Sequence, residues 1–126
     1  MRTMNRAAAV AIVARFAFNF AISHARTAVE DAIDSVPYDR LGWYEMSQVY
    51  RKVLTELQER ETFYLWSVSG VDHDEFIAAK WALGEDVVMG AVRAQFKCMS
   101  ADSLEMLGQA KLERKQAEAK RENIDA

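Results

Sequence analysis

The two histidines of this sequence, His24 and His73, are the first candidates for metal binding or proton transfer. A helical zinc or di-iron site of the Glu-x-x-His type needs a glutamate three residues before the histidine. Ala21 and Gly70 occupy those positions. His73 lies between two aspartates, but neighbours at a helix start point in different directions, so capping of the helix explains these acids better. We therefore expect no metal site.

Cys98 is the only cysteine, so the chain forms no internal disulfide, which is typical of a reducing compartment. It lies near the predicted C-terminal end of a helix, whereas helix N-termini activate thiols. We expect a buried or half-buried structural thiol. Gly-x-Ser-x-Gly, P-loop and Gly-x-Gly-x-x-Gly motifs are absent. The sequence thus indicates no catalytic residue and no cofactor, and we expect a protein that is not an enzyme.

Residues 76–96 have the helix, glycine and helix order of a helix-turn-helix motif. Three features disfavour that interpretation. Lys80 stands where a small residue is expected, the second helix opens with Glu85 and Asp86, and Gly90 replaces an apolar packing residue. A DNA-binding regulator that uses residues 76–96 is therefore the alternative function, and nucleic acid is not the expected partner.

The charge of −3 is unevenly distributed along the chain. Residues 1–29 carry four arginines and no acid (+4), residues 30–86 carry five bases against thirteen acids (−8), and residues 87–126 carry seven bases against six acids (+1). The acidic middle would repel nucleic acid. This distribution favours a protein partner, or self-association between the basic start and the acidic middle, although an ordinary mixed surface explains it equally well.

Aromatic side chains supply the best candidates for partner binding. Trp43 and Tyr44 are adjacent, so they cannot both face one core from a helix, and Trp66 lies close behind Tyr64. Exposed aromatic residues often anchor a partner. We predict Trp43, Tyr44 and Trp66 as partner-binding residues.

The first helix is predicted over residues 3–35 and is ended by Pro37. It carries four alanines that are spaced seven residues apart. Small residues at this spacing let another helix backbone approach closely. We expect a helix–helix seam between subunits or against the second helix, although an ordinary alanine-rich core helix is an equal alternative. The seam consists of Ala7, Ala14, Ala21 and Ala28.

Four further helices are predicted. The second begins at residue 41 or 43 and extends through residues 62–69, with a strand paired across a dimer as the alternative there. Asp72 and Glu75 begin a third helix that ends at Gly84, and a fourth follows directly. The last begins near Leu104, and its apolar pattern fades after residue 108.

These patterns predict an all-α fold of about five helices, with a long alanine-rich first helix packed in a helical bundle. Residues 1–108 would form the bundle, and residues 109–126 a charged C-terminal helix or frayed tail of the same domain. The apolar run of residues 7–22 is too short and too polar for a bilayer by sequence, so we expect no membrane partner and a cytoplasmic location.

The function that fits this pattern is a non-enzymatic, intracellular protein–protein interaction module. We expect an adaptor or inhibitor, of the kind found on phages and plasmids, that acts as a homodimer and binds another protein.

Overall fold

The computed structural model describes residues 4–66 and 70–125. All regular secondary structure in that part of the chain is helical, which confirms the predicted all-α fold with a long first helix. The five α-helices are α1 (Arg6–Asp34), α2 (Trp43–Glu59), α3 (His73–Leu83), α4 (Glu85–Lys97) and α5 (Ala101–Asp125), and Tyr38–Arg40 form a short 3-10 helix.

The chain divides into two compact units. The first unit lies within the ranges Met1–Ser23 and Gln58–Cys98, and the second within His24–Leu57 and Met99–Ala126. The first therefore contains the start of α1 together with α3 and α4. The second contains the end of α1, most of α2 and all of α5.

Phenylalanines form the centre of the first unit. The ring of Phe16 stacks on Phe76 of α3 at 4.0 Å between centroids, and Phe63 stacks on Phe96 of α4 at 4.7 Å. Phe20 joins the two pairs, at 5.6 Å from Phe16 and 6.3 Å from Phe63. All five rings are buried. Such pairs add about 0.5–1.5 kcal/mol each beyond the burial of their area.

The prediction that α2 continues through residues 62–69 is wrong for the described residues. Helix α2 ends at Glu59, residues 60–66 have no regular structure, and residues 67–69 lie outside the described chain. Core packing replaces helical hydrogen bonding here, because Phe63 is buried between α1 and α4 while Tyr64 points outward. The Nη1 atom of Arg93 donates to the carbonyl of Glu61 at 3.5 Å and so satisfies one backbone acceptor of the segment.

Side-chain and glycine caps define α3 as predicted. The carboxylate of Asp72 accepts a hydrogen bond from the backbone N–H of Glu75 at 2.9 Å. Gly84 ends the helix with φ of +92°, and its N–H donates to the carbonyl of Lys80 at 2.8 Å. Because this φ favours glycine, Gly84 lets the chain turn into α4 within a single residue.

The second unit is built around the end of α1. Ala25, Val29 and Ile33 of α1 are buried. Gly108 of α5 lies so close that an added Cβ would meet Cδ1 of Ile33 at 2.8 Å and the methyl groups of Val29 at 3.4 Å. The remaining core side chains of this unit are Leu41, Met46, Tyr50, Val53, Leu57 and Leu104.

Only part of the predicted alanine seam is buried. Ala21 is fully buried and Ala28 half-buried, whereas Ala7 and Ala14 are exposed. Gly108 of α5 approaches α1 closely at Val29 and Ile33, where the small residue belongs to the other helix. The role of the exposed alanines therefore stays a prediction.

Helix α5 begins at Ala101, three residues earlier than predicted, because two serines cap it reciprocally. The N–H of Ser103 donates to Oγ of Ser100 at 3.2 Å, and the N–H of Ser100 donates to Oγ of Ser103 at 3.4 Å. The helix then continues to Asp125, which fits a charged C-terminal helix. A buried face persists beyond Leu104 because Gly108 and Lys115 continue it at helical spacing.

Candidate protein-interaction surfaces

Trp43 and Tyr44, two of the predicted partner-binding residues, lie on the outside of the second unit. They form the start of α2, and their exposed fractions are 83% and 58%. The two rings meet edge to face, with centroids 6.1 Å apart. Both side chains are open, whereas the sequence indicated only that one of them would be.

Trp66, the third predicted residue, belongs to the first unit and is 40% exposed. Its ring is tilted against Phe20 at 5.5 Å between centroids. Trp66 therefore covers part of the core and presents its remaining surface to solvent. It lies in a different unit from Trp43 and Tyr44, so the three residues belong to two surfaces.

A groove that was not predicted lies where α3 meets α4. Trp81 is 80% exposed beside the partly exposed Ile77, and Lys80, Gly84 and Glu85 complete the lining of a groove of about 330 Å³. The Nζ atom of Lys80 lies 3.7 Å from a carboxylate oxygen of Glu85. The sequence spacing could have indicated this groove. Ile77 and Trp81 are four residues apart and so share one face of α3, whose core residues are Phe76 and Ala79.

A second apolar surface runs along the start of α1. Val10 and Phe18 are 48% and 54% exposed, and the alanines between them on the same face are exposed as well. We call this surface the open face of α1. It consists of Ala7, Val10, Ala11, Ala14 and Phe18.

A polar cleft of about 400 Å³ lies at the end of α1 in the second unit. Its cations have partners. Nζ of Lys115 donates to the carbonyls of Ile33, Asp34 and Val36, and Nζ of Lys111 lies 2.9 Å from the carboxylate of Asp34. These bonds satisfy carbonyls left free at the C-terminal end of α1 and place positive charge at the negative end of its dipole. The cleft is therefore explained by helix capping.

His24 lies half-buried on α1, and His73 is the exposed first residue of α3, in the other unit. In the part of the chain that the structure describes, no group of three or more His, Cys, Asp or Glu residues has an arrangement that suits a metal ion. Cys98 is exposed, so the expectation of a buried or half-buried thiol is wrong. Its position after the last residue of α4 explains this, because Phe96 takes the inward position of that turn.

The helix-turn-helix alternative gains no support from the turn. Helices α3 and α4 are separated by Gly84 alone, whereas the motif uses a turn of about three or four residues. The first turn of α4 carries Glu85 and Asp86, both exposed.

Helix α1 is long and apolar enough to cross a membrane when judged on length and composition alone, and 33% of its most apolar window is buried. The expected absence of a membrane partner rested on the run of residues 7–22, whereas α1 has 29 residues, so helix length does not support that expectation. The absence of a membrane partner stays a prediction.

Comparisons with protein-family models, with curated proteins and with solved structures found no match to this chain.

Proposed function

We propose that this chain is a non-enzymatic, intracellular protein–protein interaction module, an adaptor or inhibitor, that works as a homodimer and binds another protein. The observation that carries the proposal is the exposure of all three tryptophans, at 83%, 40% and 80% for Trp43, Trp66 and Trp81. Tryptophan side chains are strongly buried on average in folded proteins, and they are enriched in protein interfaces.

Trp43 and Tyr44 suit an anchor for the other protein. They are large, adjacent and held on the first turn of a regular helix, so little side-chain and backbone freedom is lost on binding. Rigid aromatic side chains of this kind form the energetic centre of many interfaces. The acidic middle of the chain, −8 over residues 30–86, favours a partner with a basic contact surface.

Affinity capture with matched variants tests this function. The tagged wild-type chain is compared with the double variant Trp43→Ala/Tyr44→Ala and with Tyr64→Ala, a similarly exposed aromatic residue of the other unit. We expect one stoichiometric protein that the double variant loses and Tyr64→Ala retains. The captured material is treated with nuclease and its 260/280 nm absorbance ratio is measured. Co-purifying nucleic acid that nuclease removes, with no protein in stoichiometric amount, would favour the DNA-binding alternative.

A further inference from the structure

We propose that the open face of α1 in one copy of the chain packs into the groove between α3 and α4 of a second copy, so that each copy both inserts a helix and receives one. This proposal rests on the homodimer of the proposed function and names its surface. A symmetric dimer forms such a contact twice, once in each direction.

The open face of α1 has the properties of an inserted helix. It extends from Ala7 to Phe18, which is about 16 Å of helix at 1.5 Å per residue. Its alanines allow close approach, and Phe18 supplies one large exposed side chain. At 100° per residue, Arg6 and Arg15 fall on opposite edges of this face, and both are exposed.

The groove has the matching properties. Ile77 and the highly exposed Trp81 supply its apolar lining. Asp74 lies three residues before Ile77 and seven before Trp81, on the same face of α3, and Glu85 lines the groove. A volume of about 330 Å³ is at the lower end of the range for ligand pockets, about 300–1,000 Å³, and suits a large side chain such as that of Phe18.

Charge favours a second copy as the occupant. Arg6 and Arg15 flank the open face of α1, which itself carries no acid. Residues 72–86, which contain α3 and the start of α4, carry five acids and one lysine, Lys80, which lies beside Glu85. Of these acids, Asp74 shares the face of Ile77 and Trp81, and Glu85 lines the groove. Opposite charges on two apolar surfaces of one chain give register and direction to self-association.

Charge reversal and mixing test this arrangement in the full chain. One variant, Arg6→Glu/Arg15→Glu, makes the helix edges acidic like the groove. The other, Asp74→Arg/Glu85→Arg, makes the groove basic like the helix. In a dimer of either variant alone, both contacts bring like charges together. In a mixed dimer, the acidic helix of one variant meets the basic groove of the other, and the basic helix meets the acidic groove. The masses of the single variants and of their equimolar mixture are measured by sedimentation equilibrium.

We expect a wild-type dimer, monomers for each variant alone, and a dimer with one chain of each kind in the mixture. Arg26→Glu/Arg51→Glu, two exposed arginines outside the open face, makes the same change of charge and should leave the dimer intact. Circular dichroism and thermal melting confirm that each variant is folded.

Two results would overturn the proposal in distinguishable ways. If the wild type is a dimer but both variants stay dimeric, or their folded mixture stays monomeric, the assigned surface is wrong and the homodimer stands. If the wild type itself is monomeric, both the surface and the homodimer are wrong, while binding of another protein through Trp43 and Tyr44 is tested separately.

Discussion

Nζ of Lys115 donates a hydrogen bond to the backbone carbonyl of Ile33 at 2.7 Å, and this bond joins the middle of α5 to the last turn of α1. The same ammonium donates to the carbonyls of Asp34 and Val36 and lies 5.3 Å from the ring centre of Tyr38. Lys115 is only 8% exposed. A lysine in a highly charged helix thus caps a neighbouring helix.

Replacement of Lys115 by methionine tests this cap. Methionine keeps most of the apolar stem but has no donor, so three carbonyls lose a charged partner. Hydrogen bonds to charged groups contribute about 1.5–3 kcal/mol each, and losses within one group are not additive, so we expect a decrease of about 2–4 kcal/mol in the free energy of unfolding. Lys120→Met, at an exposed position of the same helix, is the control and should change stability little. Equal effects in urea titration would contradict the capping role.

Two glycines in helices provide a matched test of the approach between α1 and α5. An added Cβ at Gly90 has no heavy atom within 4 Å, whereas one at Gly108 would lie 2.8 Å from Cδ1 of Ile33. Gly90→Ala should therefore gain the usual helix preference of alanine, about 0.5–1 kcal/mol. Gly108→Ala gains the same preference but overpacks the contact, at a cost of about 1–3 kcal/mol, so we expect a net loss of about 1 kcal/mol. Equal stabilisation by both changes would show that the helices are not in close contact.

The buried hydroxyl of Tyr50 should make the free energy of unfolding depend on pH in the alkaline range. The ring of Tyr50 is buried and its hydroxyl has no hydrogen-bond partner among the described residues. Burial raises the pKa of Tyr50 above its ordinary value of 10.0, and the charge of Glu105 raises it further. The folded state therefore favours the protonated phenol. Its contribution to the free energy of unfolding is complete below pH 10 and is lost as the pH rises through the raised pKa of Tyr50.

Tyr50→Phe should therefore act in two ways. Near neutral pH it removes an unsatisfied buried hydroxyl, so we expect the free energy of unfolding to rise by about 1 kcal/mol. Above pH 10, the loss of stability with pH should be shallower in the variant than in the wild type. Thermal melting across this pH range measures both effects. A lower melting temperature near neutral pH would indicate that the hydroxyl has a bonded partner.

The irregular segment after α2 can be tested with two neighbouring aromatic residues. Phe63 is buried against Phe20 and Phe96, and Tyr64 is 86% exposed. Phe63→Ala should lower the free energy of unfolding by about 3–4 kcal/mol, whereas Tyr64→Ala should change it by less than about 0.5 kcal/mol. Comparable losses at the two positions, measured by urea unfolding, would contradict the packing of this segment.

The fold class was predictable because helix signals are local. Asp72 begins α3 through its own side chain and Gly84 ends it through its backbone freedom, and both positions were predicted. The end of α2 was not, since a tertiary contact of Phe63 decides it. The buried face of α5 was not predicted, because glycine and lysine are not typical core residues. Gly108 is buried by a close helix, and Lys115 by the carbonyls to which it donates.

The interaction surfaces were predictable only in part. Adjacent residues on a helix cannot both face one core, so at least one side chain of Trp43 and Tyr44 was expected to be exposed. The groove at Trp81 was missed because α3 carries apolar residues on two faces, and periodicity does not tell which face the core takes. Similarly, Ala7 and Ala14 have the spacing of a seam, but exposure depends on which helices lie nearby.

Self-association through surfaces that a single copy leaves open is the first step of the proposed function. It can be measured by sedimentation equilibrium of the wild-type chain over a range of micromolar concentrations. We expect a mass that rises toward twice 14.3 kDa with concentration and falls with added salt, since charges guide the contact. A mass of 14.3 kDa at every concentration would show that the chain does not form a homodimer.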